Sequence, residues 1–214
     1  MPQQNQPTGD QSLPVFIPER KPYTAYEDAI TLRQLHFYIS GPIEEPEHYT
    51  EMIHQIRSAS QNDVVHIHLN TPGGMVATGV QIINAIDNSE ALVVTHLEGE
   101  VCSMGSLIFL AGHQMVAYQY SLLMFHNYSG GVSGKGHEQK AALDASEKWY
   151  SSIQDTLCTP FLTKAELKRI KDGQDLWLLH DDIKKRLDKM QKAFEKEAAE
   201  QEQLESVELT TQAL

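Results

Sequence analysis

Gly99-Glu100-Val101-Cys102-Ser103-Met104-Gly105 is the stretch on which the fold turns. Before it, Ala91 to Leu97 (Ala-Leu-Val-Val-Thr-His-Leu) is β-branched and apolar, the composition of a buried strand expected to stop on the glycine. After it, Met104-Gly-Ser-Leu-Ile-Phe-Leu-Ala-Gly reads as a short buried helix closed by Gly112. Ser103 therefore stands where a strand hands over to a helix N-terminus, whose unpaired N–H groups and dipole favour an anion. An acyl-transfer enzyme holds its oxyanion at such a place, so Ser103 is the candidate nucleophile, with a plain helix N-cap as the alternative.

The same alternation extends upstream. Leu35-His-Phe-Tyr-Ile-Ser is a strand closed by Gly41-Pro42, and Tyr49, Met52, Ile53 and Ile56 mark one face of the helix after it. Val64-Val-His-Ile-His-Leu is a second strand, and Val76, Val80, Ile83 and Ile86 mark the inward face of the next helix. Strand-helix alternation with short turns predicts βαβ units and an α/β fold. Downstream, Gln114–Tyr118 and Ser121–Phe125 are short strands, and the glycine-rich run from Asn127 to Gly136 is a loop. His137 to about Leu157 is a long helix, and Thr163-Lys-Ala-Glu166 is a capping box for a helix stopped by Gly173. From Asp181 to about Glu205 the pattern is helical and increasingly charged, the mark of a solvated or partner-binding extension.

The 214 residues, 41% of them apolar, suit one domain with appendages. A net charge of −12 with scattered Lys and Arg argues against nucleic acid and anionic membrane surfaces. Two cysteines, Cys102 and Cys158, are too few for a disulfide framework and fit a reducing cytoplasm. Met1 to Leu13 is too polar for a signal peptide, and no apolar run approaches the ~20 residues of a membrane span. Residues 1–22, rich in Gln, Pro and Gly, are expected to form a flexible arm, although Leu13-Pro-Val-Phe-Ile-Pro has the makings of an extended docking strand. The expected organisation is then a catalytic domain over residues 23–188, with a protruding helical part at about 132–160, and an acidic helical extension over 189–214.

Three further segments supply partners for Ser103. Asn70-Thr-Pro-Gly-Gly74 lies where the second strand meets its helix, and its glycines let backbone N–H groups approach a ligand. Turns after successive parallel strands share one edge of the sheet, so Gly74 and Ser103 are expected as neighbours. His126 ends an apolar strand before a glycine-rich loop and suits a general base, having an ordinary pKa of about 6.5. Asp175 follows a helix stop and precedes Leu176-Trp-Leu-Leu, a place to anchor the carboxylate that orients a histidine; Asp172, Asp181 and Asp182 compete for that role. His66 and His68, two apart on a strand, share a face with His96 as a neighbour, but no cysteine or carboxylate completes a metal-ligand set there.

In that order, Asn70-Thr-Pro-Gly-Gly, Gly99-Glu-Val-Cys-Ser-Met-Gly, Leu123-Met-Phe-His126 and Gln174-Asp175-Leu-Trp-Leu resemble the four blocks of the Clp protease proteolytic subunit family, ClpP, over roughly Leu35 to Leu187. The resemblance implies a crotonase-like spiral of βαβ units with a protruding handle helix, and a serine endopeptidase with a Ser103-His126-Asp175 triad. It also implies an oxyanion hole from the N–H groups of Gly74 and Met104. Such chemistry uses no cofactor, metal or nucleotide. The implied partners are polypeptide substrates, further copies in a homo-oligomeric ring (a heptamer or stacked double ring) and an AAA+ unfoldase. The acidic helical extension also resembles that of phage head-maturation proteases, which would put the protein in a host cytoplasm among capsid and scaffold proteins.

The chain departs from the family pattern at Cys102, where alanine is common, at Asn127-Tyr128, where Gln-Pro is common, and in lacking a glycine near Asp182-Ile-Lys-Lys-Arg-Leu-Asp. A crotonase-type acyl-CoA enzyme would also use two backbone amides, but it leaves Ser103 and His126 unexplained and lacks a basic cluster for the CoA phosphates. A catalytically silent assembly subunit is the other alternative.

Overall fold

A computed structural model of the chain describes residues 31–212, and the compact unit within it begins at Leu32. The expectations for residues 1–22 lie outside the described residues. The unit is a six-stranded mixed sheet with helices: β1 (Gln34–Ser40), α1 (Thr50–Arg57, after a 3-10 turn at Pro46–Tyr49), β2 (Val64–Thr71), α2 (Val76–Asp87), β3 (Leu92–Cys102), α3 (Met104–Leu110), β4 (Gln114–Ala117), β5 (Leu122–Phe125), α4 (Gly136–Cys158), α5 (Lys164–Lys171), β6 (Leu176–Leu179) and α6 (His180–Gln212). The sheet order is β1-β2-β3-β5-β6, with β4 also paired to β3.

Alternation along the strands explains which side chains are inside. Ile39, Val65, Ile67, Leu69, Val93 and Leu97 point to one face and are buried in a single cluster with Ile53 and Ile56 of α1, Ile82 and Ile86 of α2, and Leu107 and Ile108 of α3. Thr95 on the same face is buried and donates its hydroxyl to the Phe109 carbonyl of α3, so its polar atom is satisfied inside the core.

Two features differ from the sequence expectation. The strand after Ala91 does not stop at Gly99; β3 continues to Cys102. Its first half pairs with β4 through Val94–Leu97 and its last residues pair with β5 through Glu100–Cys102, so one long strand serves two short ones. The glycine is needed for another reason: a Cβ at Gly99 would meet the Asn70 side chain, whose Oδ1 accepts from the Glu100 N–H where the β2–β3 register shifts. The second difference is β6. Leu176-Trp-Leu-Leu forms an antiparallel strand against β5, with Phe125 opposite Leu176.

α4 is buried only through Tyr150, Gln154 and Cys158 in its C-terminal part, leaving its first four turns largely exposed. α6 packs through Ile183, Leu187 and Met190 and runs on without a break, so the expected boundary at residue 188 falls inside a continuous helix.

Candidate active site

The end of β3 builds the turn that carries Ser103. Ser103 has φ 56° and ψ −124°, the one positive φ at a non-glycine residue among the described residues. That conformation lies outside the regions L-residues favour, so surrounding bonds must hold it. They are visible: the Ser103 N–H donates to the Met124 carbonyl (2.9 Å), and the buried Ser106 hydroxyl donates to the Met124 (2.6 Å) and Val101 (3.2 Å) carbonyls. These bonds tie the start of α3 to the ends of β3 and β5. Sequence reading passed over Ser106, whose signal, a serine one turn into an otherwise apolar helix, is weak.

Because β5 pairs beside β3, the residue after β5 arrives next to the residue after β3. His126 Nε2 lies 2.6 Å from Ser103 Oγ, a short hydrogen bond that the hydroxyl donates when the ring proton sits on Nδ1. Nδ1 has no hydrogen-bond partner among the described residues.

The turn after β2 closes the site from the other side. Gly73 has φ +92°, and a Cβ there would stand 2.6 Å from Ser103 Cβ, 2.7 Å from the Cys102 carbonyl oxygen and 3.1 Å from the Met104 nitrogen. Only glycine permits this approach. Ile43 bridges across Gly74 by accepting from the Met75 N–H and donating to the Gly73 carbonyl, so the Gly74 N–H points to the opposite side. Neither the Gly74 nor the Met104 N–H has a protein acceptor among the described residues. The structure thus brings together the Ser103 hydroxyl, the His126 imidazole and the glycine turn beside Met104.

Asp175 is placed differently. Extending the Phe125–Leu176 register by one residue sets Asp175 across from His126, yet its side chain is exposed and makes no hydrogen bond to the imidazole. It lines a shallow cleft with Glu166, Arg169 and Gln174. Backbone adjacency is thus achieved without the side-chain contact. Of its competitors, Asp172 is engaged by Lys168 at 2.6 Å.

Cys102, beside the nucleophile, is buried, and burial followed by the Glu100 carboxylate pushes its thiol up to about 12. A thiol so raised is not a competing nucleophile at neutral pH. Near the site, a largely apolar cavity of about 170 Å³ is lined by Val76, Tyr128, Leu143, Trp149 and Tyr150; Val76 stands two residues after Gly74 and Tyr128 two after His126. A larger groove between β4 and α6 contains none of the site residues.

On the opposite sheet face, His36, His66, His68 and His96 stack across β1–β3 with neighbouring ring centroids 4.5–5.4 Å apart. Their nitrogens face one another in pairs, His36–His68 at 3.1 Å and His66–His96 at 3.0 Å. Among the described residues, no group of three or more His, Cys, Asp or Glu side chains converges to hold a metal ion. Burial and the neighbouring imidazoles lower the pKa of His66 and of His96.

On an α/β fold, a serine on a strained strand-to-helix turn, hydrogen-bonded to a histidine and bordered by free backbone amides, is an arrangement able to activate a hydroxyl. The profile of the Clp protease family matches residues 20–175, and the chain belongs to that family. The ATP-dependent Clp protease proteolytic subunit of Borreliella afzelii (strain PKo) is 29% identical over 111 residues, which cover 50% of this chain and 56% of that protein. The chain therefore spans little more than half the length of this curated relative.

Proposed function

We propose that the protein is a serine endopeptidase of the Clp type. Ser103 Oγ attacks the scissile carbonyl as His126 Nε2 takes its proton; the C–N bond then breaks and the leaving amine takes that proton back. Water, deprotonated by the same imidazole, hydrolyses the acyl-enzyme. The N–H groups of Gly74 and Met104 bind the oxyanion, and their location at the Ser103 turn supports that role. Asp175 orients the imidazole through Nδ1 once its side chain rotates inward from its exposed position. The apolar cavity beside the site suits an apolar side chain preceding the cleaved bond. Polypeptides are the substrates, within a homo-oligomeric ring fed by an AAA+ unfoldase in the cytoplasm. Clp-type substrates are favoured over capsid proteins because the curated relative is a Clp proteolytic subunit.

The observation that carries this reading is the 2.6 Å contact between Oγ and Nε2 at a strained turn. One observation favours a second reading, the catalytically silent assembly subunit: the Asp175 carboxylate does not reach His126. Hydrolysis of fluorogenic peptides with apolar residues before the cleaved bond separates the two. The peptidase reading expects turnover that Ser103→Ala and His126→Ala each abolish. An oligomeric wild type without turnover supports the silent subunit.

A further inference from the structure

His126 is the first residue after β5, and the segment it opens has no regular structure before α4. Something other than strand pairing must therefore fix the imidazole. Two side-chain amides hold the backbone there, one on each side of the His126–Asn127 peptide. Gln154 of α4 donates through Nε2 to the His126 carbonyl at 3.3 Å. Asn127 donates through Nδ2 to the Lys171 carbonyl at the end of α5 (3.2 Å), while its Oδ1 accepts from the Tyr128 N–H (2.9 Å). Lys171 Nζ in turn reaches both carboxylate oxygens of Asp155, the neighbour of Gln154, at 2.7 Å. Three of these contacts, Gln154 to His126, Asn127 to Lys171 and Lys171 to Asp155, close a circuit through α4, α5 and the end of β5, and Asp175 lies four residues beyond Lys171.

Gln154 is 2% exposed, and its Oε1 is the one buried side-chain polar atom without a partner among the described residues. An unpaired buried carbonyl costs stability, and a methionine of similar length would fill the same space without that cost. Packing alone therefore does not explain an amide at this position; its polar contacts, to the His126 carbonyl and beside the Tyr150 hydroxyl, do.

We infer that Gln154 and Asn127 are positioning residues, which hold the backbone around His126 so that Nε2 stays within reach of Ser103 Oγ. The inference rests on the peptidase reading above, and it gives the handle helix a direct mechanical link to the catalytic base. Misplacing a catalytic group by about 1 Å costs up to ~100-fold in rate.

The test is to measure kcat, KM and the thermal midpoint of the full-length wild type, Gln154→Met and Asn127→Ala. Gln154→Met is expected to fold with an unchanged or higher midpoint, keep KM within about twofold and lose about 10-fold or more in kcat. Asn127→Ala is expected to lose kcat similarly; should it fail to fold, Gln154→Met alone decides. Wild-type kcat in Gln154→Met overturns the inference, as does a drop in midpoint with kcat per folded molecule unchanged. A wild type that cleaves nothing refutes the peptidase reading instead. In that case the imidazole nitrogen NMR shifts of His126 are compared between wild type and Gln154→Met: a changed Nε2 signal supports the positioning role, and identical spectra overturn it.

Discussion

Ser103→Gly and Ser103→Ala remove the same hydroxyl and the same bond to His126, but they differ in the backbone. At φ 56° and ψ −124° a residue with a Cβ carries about 1–3 kcal/mol of conformational strain, which alanine keeps and glycine sheds. Glycine also gives the unfolded chain more freedom, which offsets about 0.4–1 kcal/mol of that gain. The glycine variant should therefore be more stable than the alanine variant by about 1.3 kcal/mol (range ~0–2.6), or roughly 3–5 °C at about 2–4 °C per kcal/mol for a domain of this size. Differential scanning calorimetry of the two inactive variants under one buffer measures the difference. A Ser103→Ala midpoint above that of Ser103→Gly would show that the turn is unstrained and the geometry at Ser103 wrongly assigned.

Three other outcomes are expected. Gly74→Ala places a Cβ against the Ile43 backbone, so it should destabilise by about 1–3 kcal/mol in denaturant titration and lower peptide kcat by displacing an oxyanion donor. His66 and His96, with pKa values lowered in the folded state, bind fewer protons folded than unfolded, so stability should fall as pH drops below about 6.5. Thermal midpoints between pH 7.5 and 5.5 should show this slope, and His66→Gln/His96→Gln should flatten it. Cys102 and Cys158, both buried and pushed up to about 12, should resist iodoacetamide at pH 8 until denaturant is added, as intact-mass measurement would show.

The fold was legible wherever one face of an element carries the apolar pattern. The β-branched runs at Val64 and Leu92 and the spacing of Val76, Val80, Ile83 and Ile86 each matched an observed element. Gly99 misled, because a glycine inside a strand at a bulge has the same local signature as one that ends it. Leu176-Trp-Leu-Leu did not declare itself as a strand, since four apolar residues have no period and the antiparallel partner at β5 is a tertiary fact. That the Gly74 turn and Ser103 are neighbours followed from parallel order; the arrival of His126 beside Ser103 did not, because the β3–β5 pairing is a tertiary fact. The orientation of the Asp175 side chain did not, because a carboxylate after a glycine turn is free to face solvent or imidazole. Gln154 and Asn127 were silent for a related reason: their importance comes from carbonyls 28 and 44 residues away.

A fluorophosphonate probe applied to the full-length protein, followed by peptide mapping in a mass spectrometer, tests most directly whether Ser103 and His126 form a reactive pair. A single adduct on Ser103, lost in His126→Ala, is the expected result. An adduct on a different serine, or labelling of Ser103 that proceeds as fast without the imidazole, would contradict it.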